Sequence, residues 1–283
     1  MAPVTAEAVV GELSAYEQRA LAEVEAYFRE PEESLLGRVS RGLFRPIETM
    51  ADRLIPDRVL AVTGDAVEGL LRGIALVSDR TVAVDSVLRR ARERVEVDDL
   101  EALSRQDLHH LDALATTVAQ EHELAALLEG AGCGLGGAAL LAADIPLLIG
   151  VSMRVVRLLG AAYGIDPFAP GEGVMALKVF ELACGGTRDR YGTLLELDAL
   201  QDELDGLEPK ERAEKAAVVA SLLVSREATK RLVSLLLSRK LFQTVPVAGA
   251  LVGAGFNYMF VQGVGEVARQ VYRRRRLNEK QRG

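Results

Sequence analysis

Three histidines are the side chains best suited to bind a metal ion, and all three fall in one stretch of predicted helix. His109 and His110 are adjacent, and His122 follows later in the same stretch. Zinc-binding pairs of the HExxH type stand four residues apart on one helix face, with a glutamate between them. No pair here has that spacing, and several acidic residues surround the histidines. The pattern therefore favours a solvated helix face, and we predict no metal ligands.

The glycines Gly132, Gly134 and Gly137 have the spacing of a dinucleotide-binding fingerprint. That fingerprint requires a strand before the glycines and a helix after them. The residues before Gly132 have helical periodicity instead, so the glycines are interpreted as a packing motif. No Gly-x-Ser-x-Gly elbow or Ser-x-x-Lys signature surrounds a serine nucleophile. We predict no cofactor and assign no catalytic residue, and the sequence leaves open whether the protein is an enzyme.

The overall composition is that of a globular protein. The chain has 283 residues, of which 49% are hydrophobic and 27% are charged, enough for one large domain or two small ones. Its net charge of −7 argues against nucleic acid as a partner, and its two cysteines cannot form a disulfide framework. Residues 1–11 lack the basic and apolar regions of a secretory signal, so we expect a cytoplasmic protein.

Apolar residues recur at helical spacing along most of the chain. Ala20, Val24 and Phe28, for example, share one helix face. Helices are predicted at residues 17–28, 34–43, 47–54, 56–78, 81–94, 108–128, 174–183, 190–202, 210–223 and 226–242. No alternating strand pattern with hairpin turns is present. The sequence therefore predicts an all-α fold, a multi-helix single domain.

Two glycine-rich apolar segments, residues 130–153 and 241–265, are the most unusual part of the sequence. The first contains one charged residue, Asp144, and the second contains none. Each is long enough to span a bilayer, which needs about 20 apolar residues. Both are interrupted by proline and rich in glycine, and a charge near the bilayer centre costs at least ~2.5 kcal/mol. We therefore expect both segments to lie inside a protein shell, as the centre of the single domain.

Small residues in these segments stand four positions apart. Gly132 and Gly136 share one helix face if the first segment is one continuous helix, and Gly249 and Gly253 do so in the second. Small residues at that spacing allow two helix backbones to approach closely. We therefore predict that the two segments form a tightly packed pair.

Asp144 has two interpretations that the sequence leaves open. It suits the N-cap of a helix that begins at Ile145, with Pro146 in the first turn. It also suits a carboxylate that contacts a partner or has a functional role. In the packed pair, Asp144 and Asn257 would supply polar contacts at the ends.

The C-terminal region is strongly basic and contains the run Arg273–Arg276. Residues 269–283 include seven basic residues and one acidic residue, a net charge of +6. Such a cluster after an apolar segment attracts anionic lipid headgroups, at about 1 kcal/mol per charge. Two other interpretations remain: a solvated helix end whose charge suits the helix dipole, and a contact with another partner. The four arginines are the candidate membrane-surface contact.

Several of these features together resemble the EcsC family. The matching features are the region at residues 45–56, the glycine-rich run into Asp-x-Pro at 134–148, Arg154, the Tyr-Gly-x-Asp at 163–166 that ends in Asp166, the proline-glycine run at 245–255, Asn257, and the basic stretch at 272–277. The resemblance covers residues 17–277, nearly the whole chain.

The resemblance implies a bacterial protein that works near the cytoplasmic membrane, because the family takes its name from a gene beside an ABC-type exporter. It implies no catalytic residues. Candidate partners are an anionic membrane surface or a transporter subunit, and no oligomeric state is predicted. We divide the chain into a flexible N-terminus at residues 1–13, an EcsC-like helical domain at 14–277, and a basic C-terminal tail at 278–283.

The favoured function is therefore that of a non-enzymatic, cytoplasmic, membrane-proximal helical protein, accessory to an ABC-type transport system. One alternative is a hydrolase with a carboxylate site around Asp144. It would require Asp144 or Asp166 to converge with Arg154 or a histidine. The other alternative is an integral membrane protein whose two apolar segments form a hairpin in the bilayer.

Overall fold

The computed structural model describes residues 12–29, 57–76, 83–133, 137–184, 189–225, 229–230, 232–234, 236–237 and 249–282. These residues form helices and connecting turns, with no β-strand among them. The predicted all-α class is therefore confirmed.

Ten helices have defined bounds in the described part of the chain. They are α1 (Ala15–Arg29), α2 (Asp57–Leu76), α3 (Val84–Arg92), α4 (Leu100–Ser104), α5 (Leu108–Cys133), α6 (Gly137–Ala162), α7 (Glu172–Cys184), α8 (Arg190–Asp205), α9 (Pro209–Leu223) and α10 (Gly249–Arg282). The helices predicted at residues 34–43 and 47–54 lie outside the described residues.

Local sequence signals explain where several helices begin. Asp189 precedes α8, and its Oδ1 accepts a hydrogen bond from the Gly192 amide at 2.7 Å. Asp99 caps α4 in the same way, through the Ala102 amide at 2.7 Å. In both cases the side chain satisfies an amide that has no partner within the helix. Helix α9 begins with Pro209, whose missing N–H is harmless in the first turn.

Helices α5, α6 and α10 pack against one another at the centre of the fold. Helix α10 also contacts α1 and α7, and α6 also contacts α2 and α7. Buried apolar side chains from nine of the ten helices join into one core, as a single domain requires, and Ala216 and Ala220 of α9 form a small second cluster with Val174. The helices that contain the two apolar segments therefore pack against each other.

Among the described residues, Gly160 and Gly265 allow α6 and α10 to approach each other closely. A Cβ on Gly160 of α6 would lie 3.1 Å from the Tyr272 ring on α10, and one on Gly265 would lie 3.5 Å from Val155. Any larger side chain at Gly160 would meet that buried ring. These two glycines therefore permit a close contact between the helices, and the contact predicted at Gly132, Gly136, Gly249 and Gly253 stays a prediction.

Gly132 and Asp144 share a helix face only if the first apolar segment is one continuous helix. Helix α5 is described as far as Cys133 and α6 from Gly137 onward, and residues 134–136 between them lie outside the described residues. Gly136 itself lies outside the described residues. Gly249 and Gly253 do lie on one helix, α10.

One part of α6, Asp144–Ala162, is long and apolar enough to cross a membrane by length and composition alone. In the structure, 72% of this stretch is buried inside the protein. A core helix that other helices surround can be apolar on every side. Most of Asp144–Ala162 is therefore covered by other parts of the protein, and the burial predicted for residues 130–143 stays a prediction.

A tight turn after α6 requires glycine at position 164. Gly164 has a φ of +78°, and a Cβ there would lie 2.5 Å from the Ser104 Cα. The Ile165 amide donates to the Gly160 carbonyl at 3.0 Å, and the Gly164 amide donates to the Ala161 carbonyl at 2.9 Å. These two hydrogen bonds form a Schellman motif that ends the helix. The turn positions Tyr163 in the interior.

Candidate functional site: an arginine-carboxylate cluster beside a cleft

The run Arg273–Arg276 lies near the C-terminal end of α10, and its four side chains are largely buried. The side-chain exposures are 6%, 10%, 13% and 22% in chain order. Successive residues of a helix point about 100° apart, so four in a row reach different neighbours. Each guanidinium group therefore meets a different part of the protein.

Asp112 of α5 is the centre of this cluster and is only 7% exposed. Its Oδ2 accepts hydrogen bonds from the Tyr16 hydroxyl at 2.7 Å and from Arg273 Nε at 2.9 Å. Its Oδ1 accepts a hydrogen bond from the Tyr163 hydroxyl at 2.7 Å. One carboxylate thus joins α1, α5, α10 and the turn after α6. We call these residues, together with Glu23, the Asp112 cluster.

The two tyrosines of the Asp112 cluster are neutral hydrogen-bond donors. Burial raises the pKa of Tyr163 well above its ordinary value of 10.0, and the negative charge of Asp112 raises it further. Burial and Asp112 also raise the pKa of Tyr16. Both phenols therefore keep their protons at neutral pH, and the arrangement is suited to holding helices together.

The remaining arginines form similar pairs with other helices. Arg273 also donates to Glu23 of α1 at 2.7 Å, and Arg274 donates to Asp198 of α8 at 2.7 Å. Arg275 makes a bidentate pair with Glu172 of α7, at 2.9 and 2.8 Å. Planar bidentate pairs are among the strongest hydrogen-bonded ion pairs. The arginine run therefore fastens α10 to α1, α5, α7 and α8.

Burial and pairing act in opposite directions on the charge of Arg275. Burial alone lowers its pKa, but the Glu172 carboxylate outweighs burial, and the pKa is raised. The same balance raises the pKa of Arg273, through Glu23 and Asp112. These guanidinium groups therefore remain charged within the fold.

A cleft of about 420 Å³ opens beside the cluster, between α1, the α4–α5 turn and the end of α10. Lys280 lines the cleft, and its Nζ donates hydrogen bonds to both carboxylate oxygens of Glu17, at 2.7 and 2.8 Å. Arg276, also on the wall, donates to the Ser104 carbonyl and to Glu279. The charged groups on this side of the cleft are therefore paired with each other.

The opposite side of the cleft contains Asp107, which adjoins His109 and His110. One potential ligand atom from each of these three residues lies within 4.8 Å of the other two. Asp107 and His109 are exposed, and His110 is half-buried. The prediction of a solvated face holds for Asp107 and His109, but Asp112 on the same helix is buried.

The N-cap interpretation of Asp144 is wrong. Helix α6 begins at Gly137, so Asp144 and Pro146 both lie in the helix interior, well past its first turn. The alanines and leucines between Gly137 and Asp144 are strong helix formers, and they extend the helix toward the N-terminus. Asp144 is buried, at 6% exposure, and it has an interaction within the protein.

Two of the residues proposed for a hydrolase site, Asp144 and Arg154, do not converge along α6. Asp144 and Arg154 are ten positions apart in α6, which corresponds to about 15 Å along the helix axis. Arg154 is exposed. Asp166 is also exposed, and its Oδ1 accepts a hydrogen bond from the Phe168 amide at 2.9 Å in the loop after α6.

The C-terminal candidates are placed as follows. Asn257 is buried in α10, and its Oδ1 has no hydrogen-bond partner among the described residues. Residues 278–282, predicted as a tail, continue α10. The membrane contact of Arg273–Arg276 stays a prediction. In this structure the guanidinium groups donate to protein oxygens, so contact with lipid headgroups would require those pairs to open.

Sequence reasoning missed Asp112 and Tyr163 as members of the Asp112 cluster, and it missed Glu172 as the partner of Arg275. A signal was available for Asp112, because it stands at helical spacing with Leu108 and Ala115, both buried. A carboxylate within an apolar stripe indicates a buried partner. Tyr163 belongs to the Tyr-Gly-x-Asp motif, and the structure gives each named residue of the motif a role. Tyr163 donates a hydrogen bond to Asp112, Gly164 forms the left-handed turn, and Asp166 accepts a hydrogen bond within the following loop.

The fold and the cluster define an all-α protein whose C-terminal helix is tied to four other helices by arginine-carboxylate pairs. The model of the EcsC protein family matches residues 16–277, and the chain therefore belongs to this family.

Two relatives come from Bacillus subtilis (strain 168). The chain is 26% identical to a protein named EcsC over 233 residues, which covers 82% of this chain and 85% of that protein. It is 25% identical to the uncharacterized protein YdbA over 234 residues, which covers 82% of this chain and 83% of that protein. No solved structure matches the chain.

Proposed function

We propose that the chain is a non-enzymatic helical protein that works at the inner face of a bacterial membrane, as an accessory to an ABC-type transport system. The observation that supports a non-enzymatic role is that buried charged groups form ion pairs between helices. Asp112 pairs with Arg273, and Glu172 pairs with Arg275, each across two helices. Charged groups that are paired in this way support the architecture of the fold.

Helix α9 supports a contact with a membrane or a membrane protein. Its inner face buries Ala216 and Ala220. Val218 and Leu222, one turn apart, are 62% and 70% exposed. Adjacent exposed apolar side chains on a helix are suited to cover a lipid surface or an apolar partner. The transporter part is supported by family membership.

Membrane fractionation tests the location. The chain is expressed in bacteria, membranes are pelleted, and the pellets are washed with salt or with alkali. About 1 M salt shortens the Debye length to roughly 3 Å and releases proteins held by charge. We expect the chain in the membrane pellet and its release by one of the two washes. Resistance to both washes would support the integral hairpin, and a chain found only in the soluble fraction would contradict the proposal.

A matched pair of variants tests the contact surface. Val218→Ser with Leu222→Ser removes the exposed apolar pair on α9, and Leu195→Ser alters an apolar residue on α8 that is 44% exposed. We expect the α9 variant to lose membrane association and co-purification with transporter subunits, while Leu195→Ser retains both. Equal retention by both variants would exclude α9 as the contact surface.

A further inference from the structure

We propose that Asp107, His109 and His110 form a binding site for a divalent transition metal ion of the zinc class, at the edge of the cleft. This site goes beyond the proposed function and does not depend on it. The sequence discounts these residues because no histidine pair has a four-residue spacing. The structure brings the three side chains together by another route, at the start of a helix.

The backbone at the beginning of α5 holds the three residues in a compact turn. The Asp107 carbonyl accepts hydrogen bonds from the His110 amide at 2.9 Å and from the Leu111 amide at 3.4 Å. The rings of His109 and His110 lie 3.8 Å apart between centroids. The His109 ring also contacts the edge of Tyr16, at 6.1 Å between centroids. The two imidazoles and the carboxylate therefore share one small region of surface.

The ligand set and its spacing fit a zinc-class ion. Imidazole nitrogen and carboxylate oxygen both bind Zn²⁺ at about 2.0–2.2 Å, which places ligand atoms roughly 3.4 Å apart in a tetrahedral site. The three potential ligand atoms already lie within 4.8 Å of one another. Because Asp107 and His109 are exposed, rotation of their side chains can close the difference without repacking the core.

A second observation points to a ligand at this place. Nδ1 of His110 is buried and has no hydrogen-bond partner among the described residues. Buried polar atoms are almost always partnered, so a specific unpartnered one requires an explanation. Metal-binding histidines use one ring nitrogen for the ion and fix the ring through the other. An ion bound through Nδ1 of His110 would give this nitrogen its partner.

The charges around the site are compatible with a cation. The N-terminus of α5 carries roughly +0.5 charge, which opposes a cation, but the full negative charge of Asp107 outweighs it. The nearest basic side chains in the cleft wall are occupied: Lys280 binds Glu17, and Arg105 binds Glu101. Three protein ligands leave at least one coordination position, which water from the cleft would fill.

The test is a metal titration of the full chain without an affinity tag. Co²⁺ is added first, because its visible absorption reports the coordination, and Zn²⁺ is then used to displace it. We expect one metal ion per chain. Removal of a ligand in His109→Ala or Asp107→Ala should weaken binding by about tenfold or more, since even outer-shell changes weaken metal sites by 10–100-fold.

His122→Ala is the matched control, because His122 lies about 18 Å further along the axis of α5. We expect this variant to bind like the unmodified chain. Circular dichroism checks that each variant folds, and the exposed positions 107 and 109 are chosen so that it does. The proposal would be overturned by no bound metal, by unchanged binding in both ligand variants, or by an equal loss in His122→Ala.

Discussion

Helix α6 and the C-terminal part of α10 pack against each other, but different forces hold each of them. Val156, Leu158 and Leu159 of α6 are fully buried, with 0% exposure, and are surrounded by apolar side chains. The Arg273–Arg276 run of α10 is nearly as buried and is held by carboxylates from four other helices. The α6 residues are stabilised by apolar burial, whereas the C-terminal part of α10 combines buried apolar side chains such as Val271 and Leu277 with ion pairs in the interior.

Apolar packing and buried ion pairs respond differently when a substitution removes one of the interacting side chains. Apolar packing is non-directional, so a missing methyl group costs in proportion to the area and the cavity it leaves. A buried ion pair gives little net stability, because desolvation offsets the attraction, but removal of one partner strands the other charge. The arginine run should therefore be the more sensitive of the two regions to single substitutions.

The largest expected effect follows from Asp112→Ala. This change leaves Arg273 Nε and the hydroxyls of Tyr16 and Tyr163 without their shared acceptor. We expect the free energy of unfolding to fall by about 3–5 kcal/mol, measured by urea denaturation. The control is Arg282→Ala, whose pair with Asp202 is about half exposed and should contribute less than about 1 kcal/mol. Equal losses in the two variants would contradict the central role of Asp112.

A substitution in α6 measures how much apolar burial contributes to stability. Leu159→Ala should lower the free energy of unfolding by about 2–5 kcal/mol, because it leaves a cavity in a close-packed core. Leu147→Ala, on the same helix but 47% exposed, should cost less than about 1 kcal/mol. A small effect for Leu159→Ala would mean that α6 is not buried in solution as it is here. Thermal and urea unfolding both report the difference.

The third prediction concerns the left-handed turn at Gly164, which directly follows α6. Gly164→Ala places a methyl group against the Ser104 backbone and forces a φ of +78° on a residue with a side chain. We expect a loss of about 2–3 kcal/mol. Gly206→Ala is the control, since its φ is −75° and the nearest atoms would lie 3.6 Å away. That substitution should stabilise by up to about 1 kcal/mol, and a loss equal to that of Gly164→Ala would exclude the proposed strain.

The two regions also differ in how much of them the sequence predicts. The apolar periodicity of α1, α5 and α9 is local, so the helices and the all-α class follow from the sequence. The start of α6 well before Asp144 does not follow, because the Asp-x-Pro pattern at 144–146 is typical of a helix start. Helix formers after Gly137 placed Asp144 in a helix interior, where its capping pattern no longer applies.

The cluster could not be predicted, because its pairs join distant parts of the chain. Arg274 meets a residue 76 positions away, Arg273 one 161 positions away and Lys280 one 263 positions away. Each of these side chains alone is indistinguishable from a solvated surface charge. Only the fold decides which carboxylate a given arginine meets. From the sequence alone, four arginines in a row therefore indicate a surface patch.

Two carboxylates paired with α10 provide the smallest and sharpest test, because their pKa values shift in opposite directions. Burial would raise the pKa of Glu17, but the hydrogen bonds from Lys280 and Ser14 outweigh it, and the pKa lies below its ordinary value of 4.5. Burial raises the pKa of Asp198 above its ordinary value of 3.8 in spite of Arg274. Each unit of pKa difference corresponds to about 1.4 kcal/mol between the two protonation states.

The signs of the two pH effects are therefore opposite. The stabilisation from Glu17 is complete above pH 4.5 and is lost as the pH falls through its lowered pKa in the folded state. For Asp198, the folded protein binds its proton first, so stability is gained as the pH falls through the raised pKa toward 3.8. Unfolding free energies measured between about pH 7 and pH 3 should show the advantage of the unmodified chain over Glu17→Gln shrinking in acid. Its stability relative to Asp198→Asn should instead increase, and parallel curves for the two variants would mean that the Lys280 pair does not outweigh the burial of Glu17.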